Sequence, residues 1–92
     1  MALSGQKTVT TAGTAVALGS QVIAGPLMVK ALPANTGLVY VGNDGASDVT
    51  SSNGYPLAAG DQVIFDHIAN LSNIYVDSAV NGEGVAWIAL NL

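Results

Sequence analysis

Six carboxylates, a single histidine and seven serines are the residues of this 92-residue chain that could do acid–base or nucleophilic chemistry. The carboxylates are Asp44, Asp48, Asp61, Asp66, Asp77 and Glu83. Hydrolysis by paired carboxylates needs two of them held across a substrate cleft. These six fall mainly in turn-like stretches and at strand ends of a chain too short for a deep cleft. Asp66 and His67 are adjacent, yet no Gly-x-Ser-x-Gly elbow accompanies them to present a serine. With no cysteine and no second histidine in the chain, His67 falls short of a standard transition-metal site. It reads as a rim side chain two residues beyond Phe65. Asn43, Asp44 and Asp48 in NDGASD offer the hard oxygens that calcium takes. Their spacing does not match an EF-hand loop, and Asn and Asp are equally favoured in turns because they bond the local backbone. No catalytic residue, metal or cofactor is therefore expected.

The elements that would position any site are strands. KTVTT (7–11) and Ala15–Leu18 are short candidates with little bulk, read as edge strands or as strands that dock on a neighbouring subunit. Met1 to Gln6 is expected to be a mobile arm. LMVKAL (27–32) sets Leu27, Val29 and Ala31 on one face and Met28, Lys30 and Leu32 on the other. GLVYVG (37–42) is apolar on both faces, the pattern of a central strand covered on both sides. Ser47–Ser52 reads as a short polar strand around Val49. Pro56 demotes Tyr55–Leu57 to an edge. DQVIFDHI (61–68) follows the turn at Gly60-Asp61. Last comes NIYVDSAVNGEGVAWIAL (73–90), read as a hairpin about Asn81-Gly82. A two-residue loop there would set Val76 opposite Trp87 and Tyr75 opposite Ile88; a four-residue loop, Asn81 to Gly84, shifts the partners by two and keeps the same faces.

About eight short strands with closely spaced turns predict an all-β fold, an antiparallel β-sandwich or jelly-roll-like small barrel with an extended N-terminal arm. Residues 1–20 would be arm and edge strands, and 21–92 the sandwich. A chain of this length buries roughly 60–65 % of its unfolded surface, enough for one core. Half the residues are hydrophobic and only 9 % are charged, against about 25 % in a typical domain. Part of that apolar excess is expected to lie against another chain. The net charge is −4, with Lys7 and Lys30 the only lysines and no arginine. That excludes nucleic-acid binding, which needs several phosphate-neutralising cations, and argues against an anionic membrane surface. No run reaches the ~18 apolar residues of a membrane span. The stretch from Lys7 to Gly25 lacks the leucine-rich centre of a signal peptide and alternates like a strand.

Trp87 sits between Val85 and Ala89, a core position, so Tyr55 is the aromatic expected to be well exposed. On the hairpin, Ile74, Val76, Val85, Trp87 and Ala89 would face the core. Tyr75, Ile88 and Leu90 would meet another subunit or the arm. With Val9, Val16 and Leu18 they form the expected oligomer or capsid interface.

One stretch resembles a known family. PANTGLVYVGNDGASDVTSSNGYPLAAGDQVIFD, from Pro33 to Asp66, is similar to small virion proteins of tailed bacteriophages. The matching positions are Asn35-Thr36-Gly37, Val39-Tyr40-Val41-Gly42, Val49-Thr50, Asn53-Gly54, Leu57 and Gly60-Asp61. The resemblance implies a capsid decoration or cement protein, not an enzyme. Such a protein would form a homo-oligomer, with a trimer favoured, on the outer surface of the virion head. Its partner would be the major capsid protein, and it would stabilise the head through inter-subunit contacts. The alternative reading is a carbohydrate-binding β-sandwich module of a head fibre or tail.

Overall fold

In the computed structural model, which describes residues 1–42 and 48–91, eight strands build two four-stranded antiparallel sheets packed face to face. The strands are β1 (Leu3–Val9), β2 (Val16–Ala17), β3 (Ala24–Ala31), β4 (Val39–Val41), β5 (Tyr55–Leu57), β6 (Gln62–Phe65), β7 (Tyr75–Ser78) and β8 (Glu83–Asn91). One sheet has the order β1-β8-β3-β6 and the other β2-β7-β4-β5. Every consecutive pair except β4–β5 changes sheet, which is the jelly-roll arrangement of an open sandwich. The expected all-β sandwich is present; the barrel form of that expectation is not, because the two sheets do not close on each other.

Alternation explains the core. Leu27, Val29 and Ala31 of β3 are fully buried, as are Val85 and Ala89 of β8, with Trp87 between them. Val39, Val41, Leu57 and Val76 meet them from the opposite sheet. Each strand thus sends every second side chain into the space between the sheets, and burial of that apolar surface drives their association.

Four local expectations are corrected. Leu3–Gln6 is not a mobile arm: with Lys7–Val9, already read as an edge strand, it pairs with β8 over its whole length, Leu3 opposite Ala89 and Val9 opposite Glu83. The weak hydrophobicity of LSGQKTV hid this, because an edge strand needs only backbone pairing and one inward face. Asn81-Gly82 turns the chain, with φ +83° at Gly82, but β7 and β8 do not form a hairpin. β8 has β1 and β3 as its neighbours, while β7 lies between β2 and β4. Among the described residues of Ser47–Ser52 there is no strand. Val49 is buried there, and the amide of Asn53 donates to the Thr50 carbonyl across a turn. Finally, β4 is a central strand as expected, but it is covered on one side only: Leu38, just before it, is exposed and Tyr40 is half-buried.

Candidate interaction surface

The registers of the β1-β8-β3-β6 sheet align its outward residues into rows. Ser4 of β1 stands opposite Ile88, Ile88 opposite Met28, and Met28 opposite Ile64. One step along, Gln6, Ala86, Lys30 and Gln62 form a second row by the same pairings. The first row is apolar over three strands, and the second is polar at its flanks with one ammonium group. Ile64 is 54 % exposed, while Met28, Ala86 and Ile88 are half-buried by their neighbours. A recess of about 450 Å³ lies over Ser4, Gln6, Met28, Lys30, Gln62 and Ile88. Among the described residues no carboxylate borders it.

The expected interface residues do not gather on one face. Val9 and Leu18 are 0 % and 4 % exposed and belong to this chain's own core, so neither is available to a partner. They lie on the inward face because β1 and the end of β2 close the sandwich at that corner. Val16 is half-buried and packs against the same core. Ile88 lies in the outward row just described, and Leu90, two residues on, is exposed. Tyr75 is in the other sheet: Val76 beside it points into the core, so Tyr75 faces outward on the opposite side of the molecule. The faces of these strands were legible from alternation. Met28 and Ile64 escaped notice as partners of Ile88 because nothing local reveals that β3, β6 and β8 are neighbours.

Three of the carboxylates do structural duties. Glu83 at the start of β8 accepts hydrogen bonds from the Thr36 amide at 2.6 Å, the Thr36 hydroxyl at 2.8 Å and the Gly37 amide at 3.0 Å. This latch ties the β3–β4 loop to β8. The two backbone N–H groups, Thr36 first, hold its carboxyl below the ordinary value against a smaller opposing effect of desolvation. Asp77, only 3 % exposed, accepts from the amides of Gly13 and Ser78, so the β1–β2 loop caps it. Asn81 accepts from the Ala12 amide at 2.7 Å, and the Gly82 amide donates to the Val9 carbonyl at 2.8 Å. The β7–β8 turn therefore anchors the end of β1. Asp61 caps its own turn by accepting from the Ala58 amide.

Asp66 and His67 are both exposed on the connection after β6. Among the described residues no three of His, Cys, Asp and Glu stand close enough together to hold a metal ion. Asn43 and Asp44 of the NDGASD stretch lie outside the described residues. Tyr55, the aromatic expected at the surface, is 61 % exposed. It borders a second recess, of about 430 Å³, with Asn53, Gly42, Val63 and Phe65 at the gap between the β5 and β6 edges. No helix among the described residues is long and apolar enough to cross a membrane. No protein-family model, curated protein or solved structure matches this chain.

Proposed function

We propose that this chain is a capsid decoration protein. It binds the assembled head of a tailed bacteriophage from outside, without enzymatic activity, and stabilises it through inter-subunit contacts. The observation that carries the reading is the outward Ile88–Met28–Ile64 row, whose Ile88–Met28 end borders a recess with no carboxylate among its described lining residues. On a chain of net charge −4, a recess with no described acid in its lining is where a large protein partner can bury apolar area with little loss of charge solvation. The resemblance of residues 33–66 to virion proteins points the same way, and its motif positions fall on recognisable parts. Val39–Val41 is β4, and Gly60-Asp61 is the turn into β6. Jelly-roll sandwiches serve both capsids and lectins, so the fold alone does not choose between them. The test is co-sedimentation with expanded phage capsids. Binding by the wild type that is lost in Ile64→Lys supports this reading; no binding to capsids defeats it.

The exposure of Tyr55 beside Asn53 favours a second reading, a carbohydrate-binding module of a fibre or tail, since sugars stack on exposed aromatic rings flanked by polar groups. Glycan-array binding that disappears in Tyr55→Ala would select it.

A further inference from the structure

The four sheet edges differ in how well they are blunted. β2 has two residues, β5 has three with Pro56 at its centre, and β6 has four. Short strands and proline leave little continuous backbone for another strand to pair with. β1 is seven residues long, has no proline, and is paired through every residue with β8 on one side. It ends the sheet order on the other side. That free flank is a row of N–H and C=O groups whose complement is another extended backbone.

The side chains of β1 indicate which backbone. Ser4, Gln6 and Thr8 point outward and are exposed; Leu3, Gly5 and Lys7 point inward and are half-buried. Two copies of β1 laid antiparallel about a two-fold axis through Gly5 bring Ser4 opposite Gln6 of the second copy, a pair able to hydrogen-bond. Leu3 then meets Lys7 of the second copy, whose methylene stem can lie along the leucine while its ammonium stays in water. Gly5 meets Gly5, with no side chain to collide, at the position where the Trp87 indole already fills the space beneath. The two Lys7 residues would sit about 14 Å apart along the strands at about 3.4 Å per residue. That exceeds the roughly 8 Å screening length at physiological salt. No acid lies on β1, so no like-charge contact opposes the pairing.

We propose that β1 is a self-association edge, joining two copies into one continuous eight-stranded sheet with Gly5 on the dyad. In that dimer the Ser4–Ile88–Met28–Ile64 row of each copy runs on into the Gln6–Ala86–Lys30–Gln62 row of the other. The two apolar rows then flank the axis on one broad face. This contact does not depend on the capsid reading, and it yields a dimer where the resemblance to virion proteins implies a trimer.

Because the chain contains no cysteine, directed cross-linking tests the register cleanly. The S4C/Q6C double variant places the new thiols of two copies directly opposite one another, within reach of a disulfide. The single variants S4C and Q6C place theirs one diagonal apart. Under mild oxidation the double variant should form covalent dimers several-fold more efficiently than either single variant, and wild-type protein should sediment with twice the chain mass. A wild-type monomer overturns the proposal. So does a trimer in which S4C/Q6C cross-links no better than the single variants, and that result would leave capsid binding standing. Should the double variant misfold by circular dichroism, the wild-type mass decides alone.

Discussion

Gly5 and Trp87 face each other across β1 and β8, and the indole occupies the space that a side chain on Gly5 would need. A Cβ built on Gly5 would come within 2.8 Å of Cζ2 of Trp87. The ring is only 9 % exposed and lies against the core, so it has little room to retreat. Gly5→Ala should therefore destabilise the fold by about 1–3 kcal/mol, the usual cost of overpacking. Urea unfolding followed by Trp87 fluorescence measures it; an unchanged midpoint would contradict the packing described.

Gly84 should be less forgiving still. A Cβ there would collide with the Lys7 carbonyl oxygen and stand 2.9 Å from the Thr8 Cα. These are backbone atoms of the paired strand, so the collision is relieved only by moving β1 off β8. The Gly84 carbonyl also accepts from the Asn35 side chain and the Leu32 amide. Gly84→Ala is expected to cost at least the upper end of the about 1–3 kcal/mol range, more than Gly5→Ala in the same assay.

The Glu83 latch predicts a pH dependence. Its carboxyl is lowered from 4.5, chiefly by the Thr36 and Gly37 N–H groups. A depressed folded-state pKa means that the stabilisation is complete above the unfolded value and is lost as pH falls through the folded one. Wild-type thermal stability should thus fall on acidification below about pH 4.5. Glu83→Gln should melt lower at neutral pH and show a shallower decline in that acid range. Parallel melting curves for the two proteins across the whole range would remove the latch from the account.

Asp77 offers a conservative rescue. Asp77→Ala removes the acceptor of the part-buried Gly13 N–H and strands the buried Ser78 N–H, the latter at about 1–3 kcal/mol. Asp77→Asn keeps the accepting Oδ1 and should recover a large part of that loss. Equal destabilisation by both substitutions, in chemical denaturation, would show that the charge matters rather than the hydrogen bonds.

Surface substitutions separate function from folding. Ile64 and Tyr55 are both more than half exposed, so Ile64→Lys and Tyr55→Ala should leave stability within about 0.5 kcal/mol of wild type. Ile64→Lys should abolish capsid co-sedimentation while Tyr55→Ala retains it. The reverse pattern would move the binding site to the recess between β5 and β6.

Much of the fold could be read residue by residue. The alternation in LMVKAL separated Leu27, Val29 and Ala31, all buried, from Met28 and Lys30, which face outward. Pro56 marked an edge strand, and β5 is one. Trp87 was placed in the core and Tyr55 at the surface, as they are. Less of the surface was legible. Tyr75 and Ile88 were assigned to a single face because Asn81-Gly82 resembled a hairpin, yet they lie on opposite sides of the sandwich. Turn chemistry specifies the backbone angles of a few residues and nothing about which strands flank the turn.

What the sequence determined by itself was local: period-two alternation, the positions of turns, and the near absence of charge. Each depends only on the stereochemistry of a strand and on which side chains leave water. The tertiary structure decided the neighbours. β8 found its places beside β1 and β3, not beside β7, because the chain crosses from one sheet to the other at the β7–β8 turn. That choice created the Ser4–Ile88–Met28–Ile64 row from four separate strands, and it left β1, among the described residues, as the long strand at a sheet edge. Both are properties of pairings between residues distant in the chain, which no stretch of sequence carries alone.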